Sequence, residues 1–304
     1  MWLILAFMSA ALLGCYDSFK KQALKENAVI PVLFLNTLFS SFIFIPFIIA
    51  SPMGLLDGSI FHVASGGWEM HRYIVLKALI VLSSWILGYF GMKHLPLTIV
   101  GPINATRPVM VLIGALLVFG ERLNLWQWIG VLLAIASFLL LSRSGKKEGI
   151  DFKHDHWIYM IVGAALLGAV SGLYDKYLMA PVESGGVGLD RMMVQSWYNI
   201  YQCGMMGIML WLLWWPKHQE TTPFHWSWSI VGVSLFLSTA DFLYFYSLSL
   251  PEAMISIVSM IRRGSVIVSF LFGAWFFREK NLKAKAFDLA LVLLGMVFLY
   301  LGSR

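Results

Sequence analysis

Ten apolar stretches of 17 to 25 residues punctuate this chain, and they decide what it can fold into. They cover residues 2–19, 31–50, 73–92, 97–120 and 125–142, then 157–179, 192–215, 228–249, 253–277 and 286–302. A helix rising about 1.5 Å per residue needs about 20 apolar residues to cross the hydrocarbon of a bilayer. The chain lacks the alternating ten-residue segments of an outer-membrane barrel, so the stretches read as helices. Composition agrees. Hydrophobic residues make up 59% of the 304 and charged residues only 12%, against about 45–50% and about 25% in soluble domains. The excess must face lipid, which excludes a soluble enzyme, a nucleic-acid-binding module and a disordered chain. The net charge of +6 therefore reads as loop lysines and arginines that set membrane orientation.

The connectors are short, the longest being 51–72 and the polar linker 143–156. No extramembrane domain is expected, so function is expected inside the membrane. The first stretch ends in Asp17, Lys20 and Lys21 without a small-residue cleavage site, so it reads as a retained helix. Cys15 and Cys203 both lie in apolar runs and read as packing residues.

The two halves repeat each other. Gly14-Cys15-Tyr16-Asp17 answers to Gly172-Leu173-Tyr174-Asp175. Tyr89-Phe90, running to Leu95-Pro96, answers to Tyr244-Phe245, running to Leu250-Pro251. Arg107 follows its proline at the interval by which Arg262 follows its own, and Glu121 and Glu279 close the fourth and ninth stretches. Five spans per half is an odd number, so the second half must enter the membrane upside down. Inverted repeats of this kind build secondary transporters, with the substrate site near the midplane between the halves.

The run Tyr89-Phe-Gly-Met-Lys-His-Leu-Pro-Leu-Thr98, then Arg107-Pro108-Val109, then Val118-Phe-Gly-Glu121-Arg122-Leu123, resembles the repeat signature of EamA-type proteins of the drug/metabolite transporter superfamily. The resemblance continues through residues 126–141 and recurs over 244–301. It implies an all-α integral membrane protein of ten transmembrane helices, arranged as two inverted five-helix repeats around a central cavity with alternating access. Residues 1–143 would form the first repeat, 144–156 a polar linker and 157–304 the second repeat. The resemblance names no substrate, since the superfamily carries amino acids, drugs, nucleotide sugars and sugar phosphates.

Ionisable residues in mid-span are the strongest functional candidates. A central arginine costs about 2.5–3.5 kcal/mol on insertion scales unless it meets water or a partner. Arg107, Arg262 and Arg263 lie near the middle of the fourth and ninth spans. They are expected to form an anion site, because planar guanidinium donors suit carboxylate and phosphate. The competing use is internal pairing with Asp241 or Glu252. Arg262-Arg263, followed by Val266-Ile267-Val268-Ser269-Phe270, is also similar to the dibasic pair that grips phosphate in plastid triose-phosphate translocators, where Lys-Arg would be expected.

Polar residues fall on helical stripes. Ser259, Arg262, Ser265 and Ser269 share one face, from which Arg263 points about 100° away. Gln195, Asn199 and Gln202 share another, Asn36 and Ser40 a third, and Ser234, Ser238, Asp241 and Tyr244 a fourth. Such stripes serve either a cavity or helix packing. The amides Asn36, Gln195 and Asn199 are expected to set specificity, with Asn104, Asp241 and Tyr244 beside the arginines. Asp17, Asp175, Asp241 and Lys20 are candidates for coupling; the carboxylates of the first two serve equally as structural partners of Lys20, Lys21 or Lys176. Pro102 and Pro108 bracket Asn104 and Arg107 and are expected to kink the fourth span. His154-Asp155-His156 reads as a solvated turn, and Trp211, Trp214 and Trp215 as interface anchors. His62, His71 and His94 are placed in connectors.

Thirteen lysines and arginines follow odd-numbered spans (Lys20, Lys21, Lys25, Lys93, Arg143, Lys146, Lys147, Lys153, Lys217, Arg278, Lys280, Lys283, Lys285). Four lie on the other side (Arg72, Arg122, Arg191, Arg304). Positive-inside reasoning then puts both termini outside, in a membrane of the bacterial inner type. The expected function is transport of a small anionic metabolite, an organophosphate or a carboxylate, by alternating access, by a monomer or homodimer without cofactor, metal or nucleic acid. Exchange, or a swing of Asp241 onto Arg262, would neutralise the arginines between cycles. The rivals are a proton-coupled exporter of amino acids or drugs and, from a different class, a membrane-embedded transferase on a lipid-linked substrate. The latter lacks any acid–base cluster in the sequence.

Overall fold

The computed structural model describes residues 2–107, 109–110, 124–146, 152–179, 181–250, 258, 261–277 and 282–302. Among them the regular structure is helical: α1 Trp2–Ala23, α2 Val29–Ala50, α3 Trp68–His94, α4 Leu97–Ala105 and α5 Leu125–Lys146, then α6 His156–Met179, α7 Arg191–Met209, α8 Trp228–Ser249, α9 Ser265–Trp275 and α10 Leu282–Gly302. Six of these (α1, α2, α3, α6, α8 and α10) are long and apolar enough to cross a membrane. α7 is the most polar of the long helices, because Gln195, Ser196, Asn199 and Gln202 interrupt its apolar residues.

The helices end where local chemistry dictates. The Asp190 carboxylate accepts from the Met193 amide at 2.9 Å and caps α7. Pro96 holds an extended conformation (φ −61°, ψ 145°) and separates α3 from α4. Asp155 accepts from the Trp157 amide at 2.9 Å, so the His154–His156 turn caps α6. His71 and His94 belong to α3 rather than to connectors, because that helix starts at Trp68, five residues before the apolar stretch that marks it. The tail of α7 widens into a π-turn at Leu210–Trp214, leaving Trp211 and Trp215 exposed.

Two interruptions fall in mid-span. The helix that starts at Leu97 turns at Thr106, whose amide and hydroxyl both donate to the Ile103 carbonyl, and helix resumes at Arg107. A second turn falls at Gly264, whose amide donates to the Ile261 carbonyl at 2.9 Å, immediately before α9. The kink expected in the fourth span is thus a break four residues after Pro102. Pro108, Glu121, Glu252, Ser259 and Glu279 lie outside the described residues, as do the side chain of Lys176 and the remainder of the fourth and ninth stretches.

Helices pair mainly across the sequence midpoint. α1 runs antiparallel to α8: the Ser9 hydroxyl donates to the Ala240 carbonyl (2.6 Å) and that of Ser247 to the Trp2 carbonyl (2.9 Å). α3 runs antiparallel to α6, with Ser84 donating to the Ala164 carbonyl (2.7 Å). α2 meets α7 through Ser41 and the Asn199 carbonyl (3.0 Å), and α5 meets α10 through Ser137 and the Asp288 carbonyl (2.6 Å). α4 packs on α9, where Gly101 faces Val266. Gly14 lets α1 approach α9: a Cβ there would collide with Val268 and sit 2.8 Å from the Ser265 carbonyl oxygen. Outward surfaces stay apolar, as at Ile4, Phe7, Leu132, Leu139, Leu235 and Trp275, which suits contact with lipid.

Candidate functional site

α1, α3, α4, α6, α7, α8 and α9 enclose a cavity with about 1170 Å³ of atom-free space, its mouth included. None of its described lining comes from α2, α5 or α10. The described lining carries five cations (Lys20, Lys77, Arg107, Arg262, Arg263) and three carboxylates (Asp17, Asp175, Asp241). Three of the cations hold those carboxylates.

Within α1, Lys20 Nζ lies 3.0 Å from Asp17 Oδ1 and over the rings of Tyr16 (4.4 Å) and Tyr89 (5.2 Å). Between α3 and α6, Lys77 pairs with Asp175. Its ammonium also rests over Tyr198 at 5.1 Å and Phe245 at 5.6 Å. Arg262 pairs with Asp241 and lies 4.2 Å over the Tyr244 ring. The other oxygen of Asp241 accepts from the Tyr198 hydroxyl at 2.9 Å. Tyr198 therefore touches both the Lys77–Asp175 and the Arg262–Asp241 pairs. Lys20, Lys77, Asp175 and Asp241 are buried, and Asp17 and Arg262 are largely so; an ion pair in such surroundings stays intact only with such added hydrogen bonds and ring contacts.

Arg107 and Arg263 differ. Among the described residues neither has a carboxylate within ion-pair distance. Arg107 Nη2 donates to Asn104 Oδ1 at 3.0 Å, and its Nε is buried with no hydrogen-bond partner. Its guanidinium packs against Gly168 of α6, where a Cβ would lie 2.7 Å from Cζ. Arg263 lines the same cavity as Arg107 and Arg262. Helical spacing alone would turn it away from Arg262; in the structure both line the cavity, directly before the turn at Gly264.

Of the residues expected from the sequence, Asp17, Lys20, Asn104, Arg107, Asp175, Asp241, Tyr244, Arg262 and Arg263 meet in this one cavity. Asn36, Gln195 and Asn199 are not among its described lining. They are buried where α2, α7 and α8 meet. Asn36 Nδ2 donates to the Tyr89 hydroxyl at 3.1 Å, so it stands one layer behind the wall. Gln195 donates to the Ser238 carbonyl (3.2 Å) and Asn199 to the Gln195 carbonyl (2.8 Å). Asp17 takes Lys20, as one sequence alternative had it, and Asp175 takes Lys77 of α3. Lys77 escaped the sequence reading, although it is the lone Lys or Arg of the stretch 73–92. Lys285, counted above among the connector charges, lies instead in α10, which starts at Leu282: it is fully buried and donates to the Thr98 hydroxyl at 2.8 Å. Among the described residues, no three His, Cys, Asp or Glu side chains are grouped to hold a metal.

Residues 1–143 match the model of the EamA-like transporter family. The resemblance read from the sequence is borne out over that stretch, and the family is one of membrane transporters. No curated protein matches the chain. A solved crystal structure superposes with a TM-score of 0.66 over 99% of this chain and 97% of the other, at 13% identity. That likeness is one of fold and extends across both halves.

Proposed function

We propose, from a first half that carries the EamA-like transporter signature, that this chain is a secondary transporter for a small anionic metabolite, an organophosphate or a carboxylate. Ten helices in two inverted five-helix repeats, 1–143 and 157–304 joined by the linker 144–156, would alternate access to the central cavity. The helix pairing supports this architecture. Exchanging each helix of one half for its counterpart in the other turns α1–α8 into α6–α3 and leaves α2–α7, α4–α9 and α5–α10 as they are.

The observation that carries the anion reading is the charge of the cavity: five cations against three carboxylates among the described residues. Uncompensated guanidinium in a membrane interior is costly and calls for an anionic ligand. Arg107, Arg263 and Asn104 would bind it directly. Arg262 would do so when released from Asp241, and Tyr244 would wall the site. The Arg262–Asp241 pair supports an internal counter-charge that substrate displaces, and Asp17, Lys20 and Asp175 would carry coupling. Asn36, Gln195 and Asn199 would shape the wall from behind. The lysine and arginine bias favours a multi-pass protein of a bacterial inner membrane with both termini outside.

Proteoliposomes test the reading. Labelled phosphate or succinate should enter faster when the same anion is loaded inside, and Arg107→Gln should abolish uptake. Uptake that follows a pH gradient, survives Arg107→Gln and Arg263→Gln, and fails in Asp241→Asn would replace this reading with a proton-coupled exporter.

A further inference from the structure

Among the described residues, the two cavity cations without a carboxylate partner come from opposite halves of the chain. Arg107 follows the turn at Thr106 in the first half, and Arg263 precedes the turn at Gly264 in the second. Both line the one cavity. Three cation–carboxylate pairs balance the rest of the described lining, so the surplus is two positive charges on two separate guanidiniums. Arg107 keeps part of its donor fork uncommitted, since only Nη2 is used by Asn104 and Nε has no partner.

A singly charged ligand would neutralise one guanidinium and leave the other bare in a low-dielectric space. Coulomb energy there is larger than in water, and the residual charge is costly. A doubly charged ligand closes the balance and meets a planar donor fork on each side. We propose, resting on the anion-transport reading above, that the cavity selects doubly charged small anions, a phosphomonoester or a dicarboxylate, held between Arg107 and Arg263. Singly charged anions of the same size are discriminated against. The ligand also becomes the bridge between the halves, because each of its charges is held by a different one.

Matched probes separate this inference from the reading it rests on. The full-length protein in detergent is titrated at pH 8 with methyl phosphate and with dimethyl phosphate, following the shift in thermal unfolding that a ligand of the folded state produces. At that pH, well above a second ionisation at ~6, the first is doubly charged and the second is singly charged. Succinate and its monomethyl ester form the parallel carboxylate pair. The expected result is tighter binding of the dianion by roughly ten- to a hundredfold, the worth of one more charge-assisted contact. That preference should vanish in both Arg107→Gln and Arg263→Gln and persist in Arg263→Lys, which keeps the charge if the glutamine variant fails to fold. Equal binding of each pair would overturn the inference and leave the anion site standing. A preference that survives both glutamine variants would overturn its assignment to these arginines. Silence from all four probes would overturn the anion reading as well.

Discussion

The guanidinium of Arg107 lies against the backbone of Gly168, on a helix of the other half, with 2.7 Å between its Cζ and the point a Cβ would occupy. A methyl group there must displace the arginine. Gly168→Ala is therefore expected to weaken binding of an anionic probe by about tenfold, one lost charge-assisted contact. Thermal stability without ligand should hold or rise slightly, since alanine is favoured over glycine in a helix by ~1 kcal/mol. Affinity measured by titration, alongside the unfolding midpoint, checks both; unchanged affinity would refute the positioning role of Gly168.

Lys77 and Asp175 bind α3 to α6 from inside the bundle, with side chains 3% and 12% exposed. Removing one partner strands a buried charge. Lys77→Met and Asp175→Asn should each destabilise by roughly 3–5 kcal/mol, whereas the double variant should recover most of the loss. Unfolding in detergent over the four proteins of the cycle measures the coupling. Additive losses would mean that the pair contributes nothing as a pair.

Asp241 and Arg262 predict opposite signs. Asp241→Asn releases a third guanidinium into the cavity and should tighten binding of phosphate or succinate. Arg262→Gln frees a carboxylate to face the same ligand and should weaken it by about tenfold. Isothermal titration of both variants decides the matter, and changes in the same direction would show that the pair does not sense the ligand.

Gly14 sets the distance between α1 and α9. Gly14→Val pushes a branched side chain into Val268 and the Ser265 carbonyl. The expected loss is ~1–3 kcal/mol from overpacking. A lower unfolding midpoint together with reduced transport would follow, since Ser265 also lines the cavity. A stable, fully active variant would show that this contact is loose.

Much of this arrangement was legible in the sequence, for physical reasons. A bilayer imposes a length, so helices such as α1, α2 and α8 stand out as apolar stretches. A charge in mid-span needs a reason, so Arg107, Arg262, Arg263 and Asp241 could be named before any geometry was known. Contacts between distant segments were not legible. Lys77 meets a carboxylate 98 positions away, and nothing in its own stretch announces that partner. The amides Gln195 and Asn199 share a helix face, as their spacing predicts, but periodicity says nothing of what that face meets. It meets α2 and α8, not the cavity lining. The 100° that separates Arg262 from Arg263 assumes one uninterrupted helix, and the turn at Gly264 follows them at once.

The pairing of helices across the midpoint has a consequence for how the chain is made. α1 waits for α8, α3 for α6 and α5 for α10, so most partners are separated by more than 70 residues. The first 143 residues emerge with serines, Lys77 and Arg107 poised for neighbours that have not yet been synthesised. Loop closure over such separations is slow, and native contacts form late. The half that matches a family by itself should thus be a poor folding unit by itself. Its polar groups would stay unsatisfied in lipid until translation is almost complete, and quality control at the membrane would read a truncated chain as unfinished.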